Sequence, residues 1–180
     1  GFPPISKDNI RYDKSLGGGI LNDAGCYPIN ASRMLFQSEP NGVFCKLIMD
    51  KDTQVDTKAV LLMDFNSNIQ AQCSVGYDLD YQSNYRLWGS NGSLNLTRSY
   101  NIPPDMSAKL NVSNSDVEEE IMIDPVNHFK LMIESFCEEI MKSNSYNYNF
   151  EEDLLNQARV MEACRISNNE KRYVEIKEIK

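Results

Sequence analysis

The sequence predicts an α+β domain in which a mostly antiparallel, open sheet carries its helices on one face. One reason is the order of the segments: an apolar segment of helix length, a run of short β-prone segments, two helical patterns and a final short strand. The other is that short polar turns separate several of the β-prone segments, which favours antiparallel hairpins. The chain of 180 residues is long enough to bury the core of one domain.

Residues 1–16 are predicted to be a connecting arm, and Gly17-Gly18-Gly19 after them a sharp turn. The first helix is predicted over Ile20 to Phe36. Pro28 inside it is expected to bend the helix, because proline lacks the N–H that the helix needs. Asp124-Pro125 is predicted to open the second helix as cap and first-turn proline. The third helix is expected from about residue 151, where acidic side chains suit a helix amino terminus.

Eight short segments are predicted to be strands. Asn91-Gly92 is predicted to be a hairpin turn, because both residues tolerate positive φ. Trp88, in one of the strands, is predicted to lie in the core, with a pocket wall as the alternative. The predicted strands are 43–49, 59–65, 69–77, 85–90, 93–98, 108–112, 117–123 and 173–176.

The composition excludes several classes of function. A formal charge of −8 argues against nucleic-acid binding, which requires a surplus of lysine and arginine. The apolar runs are too short for a membrane span. The 5 cysteines are far apart, with no metal-ligand or CxxC spacing, so we expect no metal site and reduced thiols in a cytoplasmic protein.

Asp23, Tyr27 and Asn30 form the pattern that most suggests chemistry. In a regular helix they share one face, so a carboxylate, a phenol and an amide could converge on one polyhydroxylated ligand. The alternative is that Asp23 is a capping or surface residue and Tyr27 a half-buried packing ring.

A phenol serves as general acid or base only where a neighbour lowers its pKa toward neutrality, as a cation does. Three cations lie nearby in the sequence, but sequence alone does not place them next to Tyr27. They are Arg11, Lys14 and Arg33.

The stretch from Ile10 to Asn30, with Leu16-Gly17-Gly18-Gly19 and the Asp23/Tyr27 spacing, resembles the start of the C-terminal domain of the Gfo/Idh/MocA oxidoreductases. The similarity is greatest to the branch of glucose-fructose oxidoreductase and dimeric dihydrodiol dehydrogenase. It continues in three later segments, 69–74, 88–94 and 127–134, and returns at 158–163.

The resemblance implies a fold like the C-terminal domain of glyceraldehyde-3-phosphate dehydrogenase, with residues 1–180 as one substrate-binding and dimerisation domain. It also implies a Rossmann domain, absent from this chain, that binds NAD or NADP, and a homodimer or higher oligomer formed through the open sheet face. The substrate would be a sugar, polyol or dihydrodiol oxidised or reduced at a CH–OH carbon. The chain alone is expected to be inactive.

By the same resemblance, Tyr27 would transfer the proton and Asp23 would orient the substrate or Tyr27. Arg11 and Asn30 would contact the substrate. Two other hypotheses stay open: a non-catalytic binding or scaffold protein of the same fold, and an assembly domain that pairs two copies through the sheet.

Overall fold

The computed structural model describes residues 1–142 and 148–180, which form two compact units. The first unit comprises Gly1–Tyr81 and Phe150–Lys180, and the second comprises Gln82–Asn149. Antiparallel strands and three α-helices confirm the α+β class, but the strands are divided between two four-stranded sheets.

The predicted strands are confirmed, with boundaries that differ by at most three residues. The helices are α1 (Cys26–Phe36), α2 (His128–Met141) and α3 (Phe150–Glu170). The strands are β1 (Gly42–Met49), β2 (Asp56–Asp64), β3 (Gln70–Gly76), β4 (Asn84–Gly89), β5 (Gly92–Thr97), β6 (Ala108–Ser113), β7 (Glu118–Ile123) and β8 (Val174–Glu175).

The first unit is a sheet of order β3-β2-β1-β8 that α3 covers along β1. Burial alternates along β1 and β2, so one face lies in the core and the other is exposed. β8 pairs with only two residues of β1. Further along β1, side chains of α3 accept the hydrogen bonds of the strand backbone. Cys45 N–H donates to Ser167 Oγ at 2.8 Å, and Leu47 N–H donates to Asn168 Oδ1 at 2.9 Å. These bonds fix α3 in register with the strand.

The predicted connecting arm is part of this unit. Phe2 exchanges backbone hydrogen bonds with the region just after β3, donating to Gly76 O at 3.1 Å and accepting from Leu79 N at 2.9 Å. Two short 3₁₀ turns follow, and Tyr12 in the first is buried against Tyr77 at a ring-centroid distance of 5.3 Å. The arm therefore belongs to the core and fixes the backbone at residue 11.

The second unit is a sheet of order β4-β5-β6-β7. Its register gives it one apolar face, with a row that runs across all four strands through Tyr85, Leu96, Leu110 and Ile121. Trp88 lies on the opposite, polar face and is 85% exposed, so its prediction as a core residue is wrong. The alternation of strand side chains decides this, because Leu87 takes the apolar side.

Two local predictions in the second unit are also corrected. The β4–β5 turn consists of Ser90 and Asn91, because Gly92 already pairs with Gly89; only Gly92 takes a positive φ, of 144°. The α2 cap is Asn127, whose side chain accepts from Lys130 N–H at 3.0 Å, rather than Asp124.

Among the described residues, no helix combines the length and the apolar character needed to cross a bilayer.

Candidate functional site

The predicted glycine turn holds the arm against the start of the helical segment. Gly18 N–H donates to Asp13 O at 2.9 Å and Gly19 N–H to Arg11 O at 2.9 Å, while Asp23 N–H reaches Gly19 O at 3.0 Å. A Cβ on Gly18 would lie 2.6 Å from Arg11 O, which only glycine avoids. The turn therefore places residues 11 and 23 next to each other.

The helical segment does not begin as a regular α-helix. Leu21–Gly25 is a π-helical turn that continues into α1, where the sequence predicts an uninterrupted helix with a bend. Pro28 accounts for the irregularity, because without an N–H it cannot bond to the carbonyl of Ala24. Single π turns occur frequently at functional sites. Asp23 lies inside this turn.

Two side chains bind Asp23, and a third supports one of them. Arg11 Nε donates to Asp23 Oδ2 at 2.8 Å, and the Tyr77 hydroxyl approaches the same oxygen at 3.3 Å. Asn9 Oδ1 accepts from Arg11 Nη1 at 3.4 Å and also caps the 3₁₀ turn at Arg11 N. Within the described residues Asp23 Oδ1 has no hydrogen-bond partner, and no unpartnered polar side-chain atom is fully buried, so this oxygen is at least partly exposed and can accept a further hydrogen bond.

Charge states at the site follow from burial and neighbours. Hydrogen bonding to Asp23, and then the charge of Asp23, raise the pKa of Arg11, so this guanidinium stays charged. Burial first and the Asp23 charge second raise the pKa of the Tyr77 phenol well above its usual value. Both groups are therefore hydrogen-bond donors at neutral pH, directed at one carboxylate oxygen.

Tyr27 lies near this cluster in the first turn of α1, with half of its surface exposed. Its phenol lies within electrostatic range of the Arg11 guanidinium. Asn30 is exposed three residues later on the same helix. Arg33 is instead buried, with Nη2 2.8 Å from Asp153 Oδ1 and Nε 2.7 Å from Glu39 Oε2.

Sequence reasoning missed two members of the cluster, Tyr77 and Asn9. Tyr77 follows directly after β3, 54 residues from Asp23, and no local spacing connects the two. For Asn9 a weak signal was present, because asparagine commonly caps short helical turns.

The glycine turn does not provide a dinucleotide site. A Rossmann fingerprint places a pyrophosphate on free N–H groups at a helix amino terminus. Here Leu21 N–H already donates to Asp56 Oδ2 at 2.7 Å, and the negative charge of that carboxylate opposes a phosphate. The Gly19 position, at φ 122°, lies so close to Asp56 that a Cβ would be 2.2 Å from Oδ1. Within the described part of the chain, no three His, Cys, Asp or Glu side chains are grouped to hold a metal ion.

The known proteins that this chain is similar to are oxidoreductases. Residues 1–95 match the GFO/IDH/MocA C-terminal domain. The dTDP-3,4-didehydro-2,6-dideoxy-α-D-glucose 3-reductase of Actinomadura kijaniata is 28% identical over 91% of this chain and 49% of its own length. D-xylose 1-dehydrogenase (NADP(+)) 2 of Haloferax volcanii is 28% identical over 74% of this chain and 41% of its own.

Among solved structures, the 3-ketoreductase KijD10 of Actinomadura kijaniata, in complex with NADP and TDP-benzene, superimposes with a TM-score of 0.84 at 28% identity. The match covers 92% of this chain and 51% of that one. The chain thus spans about half the length of these relatives. Since the family match covers more than half of the residues and the fold agrees, the chain belongs to the GFO/IDH/MocA family, and residues 1–95 match the C-terminal domain of that family.

Proposed function

We propose that this chain is the substrate-contacting part of an NADP-dependent oxidoreductase that acts on the CH–OH group of a sugar, or on the corresponding ketone. The names of the relatives, a sugar 3-reductase and a xylose dehydrogenase, support the substrate class and the cofactor. The observation that carries the proposal is the cluster at Asp23, where two donors hold Oδ2 and leave Oδ1 open, beside a half-exposed phenol. We assign dinucleotide binding to the part of the protein outside this chain, since Asp56 caps the glycine turn and the chain spans only about half the length of its relatives.

Each residue of the site then has a role at a stated atom. Tyr27 Oη transfers the proton to or from the substrate oxygen. Asp23 Oδ1 accepts a hydrogen bond from a substrate hydroxyl, and Arg11 keeps the carboxylate oriented while balancing its charge. The amide of Asn30, which lies on the same helix as Tyr27, contacts a further hydroxyl of the substrate.

Turnover of the full-length protein tests this assignment. With NADP or NADPH and a panel of sugars and keto sugars, Tyr27→Phe should lower kcat by roughly 10²–10⁴-fold, as expected for a general acid–base group. Tyr173→Phe is a matched control, because Tyr173 is comparably exposed and its ring packs near Gly42, a residue of β1. Equal turnover of Tyr27→Phe and wild type would refute the role of Tyr27.

A second role, pairing of two copies, is favoured by the exposed face of the first sheet. Phe44 on β1 is paired with Leu62 on β2, and both side chains are exposed. Val60, two residues before Leu62 on β2, is exposed on the same face. Contiguous apolar side chains on an open sheet face are typical of an interface between proteins. We propose a second copy of the chain as the partner.

A further inference from the structure

Among the residues that the structure describes, the hydrogen bonds to the Asp23 carboxylate all go to one of its two oxygens. Arg11 Nε and the Tyr77 hydroxyl both donate to Oδ2, at 2.8 and 3.3 Å. Each donor restrains the position of Oδ2, and with it the rotation of the carboxylate about its last bond. The direction in which Oδ1 faces is thus decided jointly by residues 11 and 77.

Of the two donors, Tyr77 is the more rigidly held. Its side chain is fully buried, and its ring packs against Phe2 and Tyr12 at centroid distances of 6.2 and 5.3 Å. Its backbone N–H is bound to Thr57 O at 2.8 Å. The Arg11 side chain is long and 41% exposed, so packing restrains it less. The buried Tyr77 ring therefore fixes the position of its own hydroxyl, and through it the position of Asp23 Oδ2.

The ring of Tyr77 packs against aromatic rings, and its hydroxyl meets the charged pair of Asp23 and Arg11. Within the described residues its hydrogen-bond partner is Asp23, and at neutral pH it is protonated and donates. A phenylalanine at this position would keep the ring contacts, so the oxygen is the part of the side chain that packing does not require.

Resting on the proposed function above, we infer that Tyr77 is a positioning residue: it holds Asp23 Oδ2 so that Oδ1 faces the substrate hydroxyl. It touches neither substrate nor cofactor and acts through Asp23. Its loss should lower turnover of the sugar without changing the KM for NADP.

A double-mutant cycle in the full-length protein separates this role from simple packing. Tyr77→Phe alone should lower kcat/KM for the sugar about tenfold, the size expected for a hydrogen bond to a charged group. In an Asp23→Ala background the same change should alter the single-turnover rate less than about twofold, because the group that Tyr77 positions is absent. Single-turnover conditions keep the slow background measurable.

Tyr12→Phe is the matched control. It removes a hydroxyl from the neighbouring ring of the same cluster, and the pKa of that hydroxyl is raised by burial and by Asp78 and Asp50, with no contribution from Asp23. We expect Tyr12→Phe to retain wild-type kcat/KM. A fall equal to that of Tyr77→Phe would show that the cluster acts through packing, and would overturn the inference.

The remaining outcomes distinguish the two proposals. Wild-type activity in Tyr77→Phe, or additive effects of Tyr77→Phe and Asp23→Ala, overturns the positioning role and leaves the proposed function intact. Failure of the wild-type protein to turn over any member of the sugar panel overturns the proposed function, and the positioning role with it.

Discussion

Asp56 caps the turn that contains Asp23: its Oδ2 accepts a hydrogen bond of 2.7 Å from the backbone N–H of Leu21, 35 residues earlier in the chain. The contact joins the start of β2 to the start of the π-helical turn. The negative carboxylate also lies at the positive end of the helical dipole, which adds to the stabilisation. Gly19 leaves the space that this approach requires.

Removal of this cap should destabilise the protein. Asp56→Ala leaves Leu21 N–H without its acceptor, and we expect the free energy of unfolding to fall by about 1–2 kcal/mol in urea titrations. Asp52→Ala is the control, because the Asp52 carboxylate forms an exposed ion pair with Lys7 and its removal should change the free energy little. Equal effects of the two variants would contradict the capping role.

Acid stability should depend on Glu178. The Arg172 guanidinium binds both Glu178 oxygens, at 3.1 and 2.8 Å, and Glu175 N–H adds a bond, so the pKa of Glu178 is lowered from 4.5 to about 2. A lowered folded-state pKa contributes stability that is present above pH 4.5 and is lost as the pH falls toward 2.

Urea unfolding at a series of pH values checks this. Glu178→Gln should reduce the loss of stability within that window, and Arg172→Gln should do the same, because it removes the main cause of the lowered pKa. A wild-type pH dependence in both variants would contradict the prediction.

The exposed sheet face should determine oligomeric state. Val60 is 57% exposed at the centre of β2, opposite Lys46 on β1. Val60→Lys adds a second cation next to Lys46 on this face, and we expect it to shift the full-length protein from dimer to monomer in sedimentation velocity experiments. Met34→Lys, on the exposed side of α1, is the control and should leave the assembly unchanged. A wild-type protein that is monomeric at high concentration would overturn the pairing proposal.

Several features could be read from the sequence because each is encoded within a few residues. Alternating apolar residues predict the strands of both sheets, and the glycine turn follows from three residues with no fingerprint spacing. The π-helical turn was not predicted, although Pro28 was identified as the cause of an irregularity. A proline fixes where a helical bond is lost, but its neighbours decide how the backbone adjusts.

The sequence by itself determined the α+β class, the order of the elements, and the placement of Asp23 and Tyr27 at the start of one helical segment. Tertiary structure decided which groups meet there: Arg11 and Tyr77 at one oxygen of Asp23, and Asp56 at the backbone of Leu21. The physical reason is that hydrogen-bond partners separated by 35 and 54 residues leave no trace in local spacing. They come together only when β2 and β3 pack beneath the helical turn.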